Sequence, residues 1–242
     1  MNSSSFSIRC QRPYQEDFFL IDLDVKCAIV CDGVGGNGHG HIASQIVSES
    51  VLEYLRQNQA EPYHERIKGA ANFAKKRLLW HVEADPHLSK MASTLALLIW
   101  DNNHAYIAHS GDSRVYHFNP SKNYIWHTMD HSMVQEMFLN GIIPDYKLWN
   151  HPQKNVITRS ISPIESISAE EIVEITKITE LTKDDILMLC TDGLLEAFSS
   201  ENEYHELLLN PKIRPGEKVE ILKRHSESKS RDNSTCVMLW NS

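Results

Sequence analysis

The sequence predicts an α+β fold in one domain spanning residues 1–242, with mainly antiparallel sheets covered by pairs of helices. Three observations carry that expectation. Short apolar or alternating runs joined by compact polar turns recur along the chain and read as hairpins. Two long helical stripes stand side by side near the N-terminus, and two shorter ones lie near the C-terminus. Strand–helix–strand crossovers, which a doubly wound parallel sheet needs, are scarce.

Residues 5–10 and 16–22 read as short strands separated by a turn at Pro13, with Glu16 and Asp17 opening the second. A third strand fits 26–31 and runs into the glycine-rich stretch Gly33-Val34-Gly35-Gly36. From His41 the period becomes helical. Ile42, Ile46, Val47, Val51, Tyr54 and Leu55 share one face, and a second helix fits 62–84, with Pro62 in its first turn. Strands return at Ser93 to Trp100 and His104 to Ala108, joined by Asp101-Asn102-Asn103. Val115 to Phe118 and Tyr124 to His127 make a second hairpin. Residues 130–165 differ: one short helix, Met133 to Leu139, with Gly141 and several prolines, reads as a small flap subdomain. Ile172 to Ile178 alternates like a strand with one wet face, and Ile186 to Cys190 reads as a buried strand. Helices over 201–209 and 215–228 and a last strand, Ser234 to Trp240, complete the chain.

Composition excludes several classes of function. The 242 residues carry a formal net charge of −8 and no basic block, which argues against binding nucleic acid through phosphates. The five cysteines form no C-x-x-C pair. Cys27, Cys31, Cys190 and Cys236 lie in apolar runs and read as buried reduced thiols of a cytoplasmic protein. The N-terminus has no apolar signal-peptide region, and no apolar run is long enough to insert in a membrane.

Several motifs fail on their context. Gly33 to Gly38 matches G-x-G-x-x-G, and Glu53 follows at a suitable distance, but that acid falls inside a helix instead of at a strand end. An Asp directly before the glycines would also repel a pyrophosphate. No Lys-Ser or Lys-Thr follows, so a P-loop is excluded. Asp22-Leu23-Asp24 has Lys26 where an aspartyl-phosphate enzyme wants a small or β-branched residue, and no Cys is followed by five residues and then an Arg, which excludes a thiolate phosphatase. The 13 histidines show no zinc-like spacing, although His39 and His41 flank the glycine turn.

The carboxylates remain. Glu16-Asp17, Asp32, Asp112, Asp192 and Asp232 each flank a strand, and strand ends gathered at one edge of a sheet would bring them together. Crowded acids repel unless cations compensate, and all-oxygen ligands suit Mg²⁺ or Mn²⁺. Two such ions roughly 3.5–4 Å apart, sharing an Asp and a hydroxide, suit phosphoryl transfer to water. Arg12, just before Glu16, is placed to clamp phosphate oxygens.

In this arrangement the chain resembles the PPM-type (type 2C) metal-dependent protein serine/threonine phosphatases, in their compact bacterial branch. The matching stretches are Arg12-Pro13-Tyr14-Gln15-Glu16-Asp17, Asp32-Gly33-Val34-Gly35-Gly36, Ser93-Thr94-Leu95 and Gly111-Asp112-Ser113-Arg114, followed by Asp130-His131-Ser132, His151-Pro152 and Ile157-Thr158-Arg159, and then Thr191-Asp192-Gly193-Leu194 and Asp232-Asn233-Ser234-Thr235. The resemblance implies a four-layer α-β-β-α sandwich with a flap, and hydrolysis of phosphoserine and phosphothreonine on proteins, reversing a Ser/Thr kinase. It implies attack by a hydroxide bridging two Mn²⁺ or Mg²⁺ ions. Asp32 would bridge, and the Gly33 carbonyl would ligate. Glu16 would serve one ion, and Asp192 and Asp232 the other. Asp17 would orient water, Asp112 with Asp192 would hold a weaker third ion, and Arg12 would bind the substrate phosphate. The expected partners are phosphoproteins, including a Ser/Thr kinase and its targets, met by a monomer. The chain departs from the family at Gln15, which replaces an Asn, and at Asn37, His39 and His41. Val34 stands where animal members carry a His, so the resemblance offers no protein acid for the leaving oxygen. The competing readings are an inert phosphoprotein-binding module and a nucleotide-binding protein using the glycine turn.

Overall fold

A computed structural model describes residues 1–35, 38–164 and 168–241. In chain order the elements are β1 (Asn2–Ile8), β2 (Asp17–Asp22), β3 (Cys27–Val34), α1 (Gly40–Gln57), α2 (Tyr63–Ala84), β4 (Ala92–Ser93), β5 (Leu95–Trp100), β6 (Ala105–Ser110), β7 (Arg114–Asn119), β8 (Tyr124–His127), α3 (Met133–Leu139), α4 (Ala169–Ile172), β9 (Glu174–Ile178), β10 (Ile186–Cys190), α5 (Asp192–Glu196), α6 (Glu201–Leu209), α7 (Pro215–Lys229) and β11 (Ser234–Trp240).

The strands form two sheets. One has the order β1-β11-β10-β7-β8, the other β2-β3-β5-β6-β9, with the short β4 paired to the end of β3. Each pairing between these strands is antiparallel. The period-two alternation of the buried strands explains the layering. Ala28 and Val30 of β3, Leu187 and Leu189 of β10, and Val237 and Leu239 of β11 face one another between the sheets. Their neighbours Cys27, Ile29 and Cys31 pack outward under α1 and α2. Met188, Cys190, Cys236 and Met238 pack outward under α6 and α7. The result is a four-layer sandwich, as the family resemblance implied, in which three apolar layers hold two sheets and two helical covers together.

The helices form where the apolar spacing dictates. Ala43, Val47, Val51 and Leu55 make the fully buried stripe of α1, and Ile67, Ala70, Ala71, Ala74 and Leu78 that of α2. Ile42, Ile46 and Tyr54, read as part of the first stripe, lie at its edge and are only partly buried. All five cysteines are free thiols and four are buried, as expected. Burial pushes Cys27, Cys31 and Cys190 up to about 12, which leaves them inert at neutral pH.

Several boundaries differ from the sequence reading. β1 begins at Asn2 and ends at Ile8, because its run of serines forms an edge strand paired residue by residue with β11. β3 continues past Cys31 through Asp32 and Gly33 to Val34, because β4 pairs with its end. The alternating run at 172–178 is strand only from Glu174, since Ile172 closes α4. A short helix, α5, starts directly at Asp192. Within 130–165, α3 falls where expected, and isolated bridges join Ser132 to Ile157 and Ser93 to Ile161. Gly36 and Asn37 of the glycine-rich stretch, and Glu165 at the end of the flap, lie outside the described residues.

Candidate metal centre

The acids picked out by the sequence converge at one end of the sandwich. Asp17 opens β2 directly opposite Asp32 on β3. Asp112 sits in the turn from β6 to β7, Asp192 at the first turn of α5 after β10, and Asp232 just ahead of β11. Strand ends are natural places for such groups: the apolar run stays in the core, and the carboxylate emerges at its edge.

Withdrawal from water and mutual repulsion dominate their electrostatics. Burial, followed by the charges of Asp17, Asp192, Asp112 and Asp232, raises Asp32 well above the usual carboxylate range. Asp192 is raised in the same way, first by burial and then by Asp112 and Asp232. Burial raises Asp17 to about 7, against the opposing hydrogen bonds from Thr235 and Thr191. Asp112 is also raised to about 7, by burial and then by Asp130. Two oxygens among these groups, Asp17 Oδ1 and Asp192 Oδ1, are buried without any hydrogen-bond partner. Unpartnered acceptors beside repelling carboxylates fit a divalent cation and are costly otherwise.

The supporting shell is specific. Asp17 Oδ2 accepts from Thr191 Oγ1 at 2.9 Å and Thr235 Oγ1 at 2.7 Å, so its other oxygen is left facing the site. The backbone N–H of Asp32 donates to Thr94 Oγ1 at 2.8 Å, and Thr94 N–H returns a bond to the Asp32 carbonyl. Glu16 holds the start of α1: Gly40 N–H donates to its Oε1 at 3.0 Å, and Ser44 Oγ donates to its carbonyl. Here β3 and α1 touch backbone to backbone. A Cβ on Gly33 would lie 1.9 Å from the Gly40 carbonyl oxygen, so only glycine fits.

Asn233 carries a role that the sequence reading passed over. Its side chain donates to the carbonyls of Arg9 and Tyr14 and accepts from Glu16 N–H at 2.8 Å, pinning the 9–16 loop to the start of β11. The two clamping threonines were also missed as partners of Asp17. Their signal was a threonine beside each of the last two acidic motifs, Thr191 before Asp192 and Thr235 three residues past Asp232.

Arg12 is half exposed and pairs with Asp232 Oδ2 at 2.5 Å. The guanidinium therefore lies at the acidic cluster. Val34 is exposed, and its side chain has no ionisable group. His41 turns back, its Nδ1 lying 2.7 Å from the Gly38 carbonyl. The absence of zinc-like histidine spacing did not carry over to space. Among the described residues two groups converge, His109 with His131 and Glu174, and His127 with Glu201 and His205. The first draws its members from separate stretches of chain, and in the second His127 of β8 joins Glu201 and His205, one turn apart on α6, so linear spacing reveals at most that one pair.

A cavity of about 550 Å³ lies beside the acids and runs under the 130–165 segment, lined by Asp112, Asp192, Arg114, Asp130, His127 and Glu201 among others. Arg114 crosses its wall with paired bonds to Asp130 at 2.7 and 2.8 Å.

Comparison with known proteins agrees with this geometry. The serine/threonine phosphatase stp of Listeria monocytogenes is 28% identical over 218 residues, covering 87% of this chain and 82% of that protein. The protein phosphatase PhpP of Streptococcus pneumoniae is 28% identical over 214 residues, covering 87% and 84%. The fold is shared with the serine/threonine phosphatase PstP/Ppp of Mycobacterium tuberculosis, at a TM-score of 0.87 and 24% identity over 100% of this chain and 98% of that one. The catalytic domain of PstP in complex with two manganese ions superposes with a TM-score of 0.82 at 22% identity, covering 98% and 96%. Residues 7–225 match the family described as Protein phosphatase 2C. With the sandwich, the ordered acidic motifs and that match in hand, the chain belongs to the protein phosphatase 2C family.

Proposed function

We propose that this chain hydrolyses phosphoserine and phosphothreonine on proteins with two Mn²⁺ or Mg²⁺ ions held by Glu16, Asp32, the Gly33 carbonyl, Asp192 and Asp232. The observation that carries the reading is the set of crowded, proton-retaining carboxylates, two of whose buried oxygens have no partner. When bound, the ions would lower the pKa of a water and neutralise charge on the phosphoryl oxygens. Asp32 sits centrally, repelled by four other acids, which supports its role as the shared ligand. Asp112 and Asp192 repel each other and share the cavity wall, which supports a weaker third position between them. Asp17, fixed by two threonine hydroxyls, offers its free Oδ1 to orient the attacking water.

Arg12 binds the substrate phosphate. Its pairing with Asp232 keeps the guanidinium at the site, and a cation taken up by Asp232 would free it for the phosphate oxygens. Val34 supplies no acid, so the departing serine or threonine oxygen takes its proton from water. We read residues 1–242 as one catalytic domain with the 130–165 segment as its flap. It acts as a monomer in the cytoplasm on phosphoproteins that include a Ser/Thr kinase and its targets. Among the described residues no helix is long and apolar enough to cross a membrane.

The test is release of inorganic phosphate from a phosphothreonine peptide in Mn²⁺, repeated with excess EDTA and with a phosphotyrosine peptide. Turnover is expected with the first, none with EDTA, and little with phosphotyrosine. Full turnover in chelator would remove the metal-dependent mechanism. An inert binding module would retain the peptide and release no phosphate.

A further inference from the structure

We propose that His127, His205 and Glu201 form a second, nitrogen-containing metal site that takes zinc(II), separate from the oxygen-only centre. The three ligand atoms lie within 4.8 Å of one another. His127 Nε2 is 3.3 Å from Glu201 Oε1, and His205 Nε2 is 3.8 Å from the same oxygen. A tetrahedral zinc with bonds near 2.0 Å has ligand-to-ligand edges of about 3.3 Å, so these separations need little adjustment. Glu201 and His205 stand one turn apart on α6 and therefore share a face, while His127 reaches them from the end of β8.

Both ring nitrogens of His127 face groups that only accept, Nδ1 the Thr128 carbonyl at 2.8 Å and Nε2 the Glu201 carboxylate at 3.3 Å, so a cation at Nε2 takes the place of a proton there while Nδ1–H stays on the carbonyl. A ring nitrogen fixed by a backbone carbonyl is the usual support for a metal-bound histidine. His205 Nε2 is buried with no hydrogen-bond partner. Two imidazoles and one carboxylate, with a fourth position open, make a donor set that zinc favours and Mg²⁺ does not.

Arg114 Nη1 lies 3.8 Å from Glu201 Oε1. Its guanidinium is held by the paired bonds to Asp130, and Glu201 supplies the one negative charge of the three ligands. The other histidine group fits less well, because the Arg159 guanidinium lies 3.2 Å from His131 Nε2 and fills the place of an ion. His127 and Glu201 line the cavity that also contains Asp112 and Asp192. Zinc there would tie β8 to α6 on the flap side of the active centre.

The test is a zinc titration against a chromophoric chelator in excess Mg²⁺, which occupies the oxygen-only centre. One zinc per chain is expected. It should raise the unfolding midpoint, and Co²⁺ in its place should give the intense visible absorption of a tetrahedral site. His205→Ala and His127→Ala should each weaken zinc binding by more than about a hundredfold, beyond the roughly 10–100-fold that loss of a supporting residue costs. Asp32→Ala should bind zinc as the wild type does. Glu201→Gln, which keeps the side-chain shape on an accessible residue, should also lose affinity and guards against a misfolded histidine variant. Equal zinc affinity in the wild type and the three site variants, or no zinc uptake in Mg²⁺, would overturn the proposal. Neither result bears on phosphate release with Mn²⁺, which tests the reading of the acidic centre separately.

Discussion

At the scale of single residues, Arg12 shows how the site balances charge. Its guanidinium pairs with Asp232, and that hydrogen bond holds the guanidinium pKa above its usual value. In turnover the same group is assigned to the phosphate. Arg12→Ala should therefore lower kcat/KM by roughly 2–4 kcal/mol in barrier, the scale of a charge-assisted contact to developing charge in a closed site. The Mn²⁺ affinity of this variant should be equal or tighter, since Asp232 loses a competing cation. Steady-state kinetics beside a calorimetric Mn²⁺ titration would check both, and wild-type kinetics would place the phosphate elsewhere. Asp32, Asp112, Asp192 and Asp232 were legible in the sequence because each acid ends an apolar run or follows a turn. Thr191, Thr235 and Asn233 were not, since a small polar residue acquires meaning only when its partner, often some 200 positions away, is brought beside it.

At the scale of elements, the loop carrying Arg12 and Glu16 has no regular structure of its own and depends on β11. Asn233 supplies that attachment through bonds to Arg9, Tyr14 and Glu16. Asn233→Ala would remove three bonds to part-buried backbone groups, at about 2–3 kcal/mol for hydrogen bonds of roughly 1 kcal/mol each. Denaturant unfolding should show that loss, and Mn²⁺ affinity should fall as Glu16 loosens. An unchanged affinity would mean that Glu16 is positioned by α1 alone. Strands β8, β10 and β11 and helices α3 and α6 fell where hydropathy placed them, because each has a sharp apolar or helical period. β1 was misplaced because an edge strand needs little hydrophobicity when its partner provides the hydrogen bonds. The extension of β3 depended on β4, only two residues long, which no periodicity reveals. The histidine groups were hidden for the same reason as the polar clamps: His127 is brought to Glu201 and His205 of α6 from another element, and His109, His131 and Glu174 come from separate stretches.

At the scale of the whole molecule, the sandwich invests stability in its acidic centre. Without cations, Asp17 and Asp112 hold protons up to about pH 7, and Asp32 and Asp192 are raised well above the carboxylate range. In the unfolded chain the same groups release them near about 4. The folded state therefore binds more protons between these limits, and stability falls as pH rises through the window. Asp22, Asp101 and Asp185 are shifted the other way by hydrogen bonds and cationic neighbours, and their contribution is lost only at pH values below about 4. Burial holds His109, His117, His131 and His205 below their usual value, which opposes the decline up to about pH 6.5, so the unfolding midpoint of chelator-treated protein should fall chiefly above about pH 6.5, and saturating Mn²⁺ should flatten that fall. A midpoint rising over the same range without metal would contradict the crowding of the acids.

The central claim is that Asp32 is the shared ligand of a tight ion pair and that Asp112 serves only an outer position. It is tested most directly by calorimetric Mn²⁺ titration of Asp32→Ala and Asp112→Ala, with phosphate release measured on the same samples. The account predicts that Asp32→Ala loses the tight ions and nearly all turnover, while Asp112→Ala keeps two ions at near-normal affinity and turns over slowly. Loss of the tight pair in Asp112→Ala, with its retention in Asp32→Ala, would contradict it.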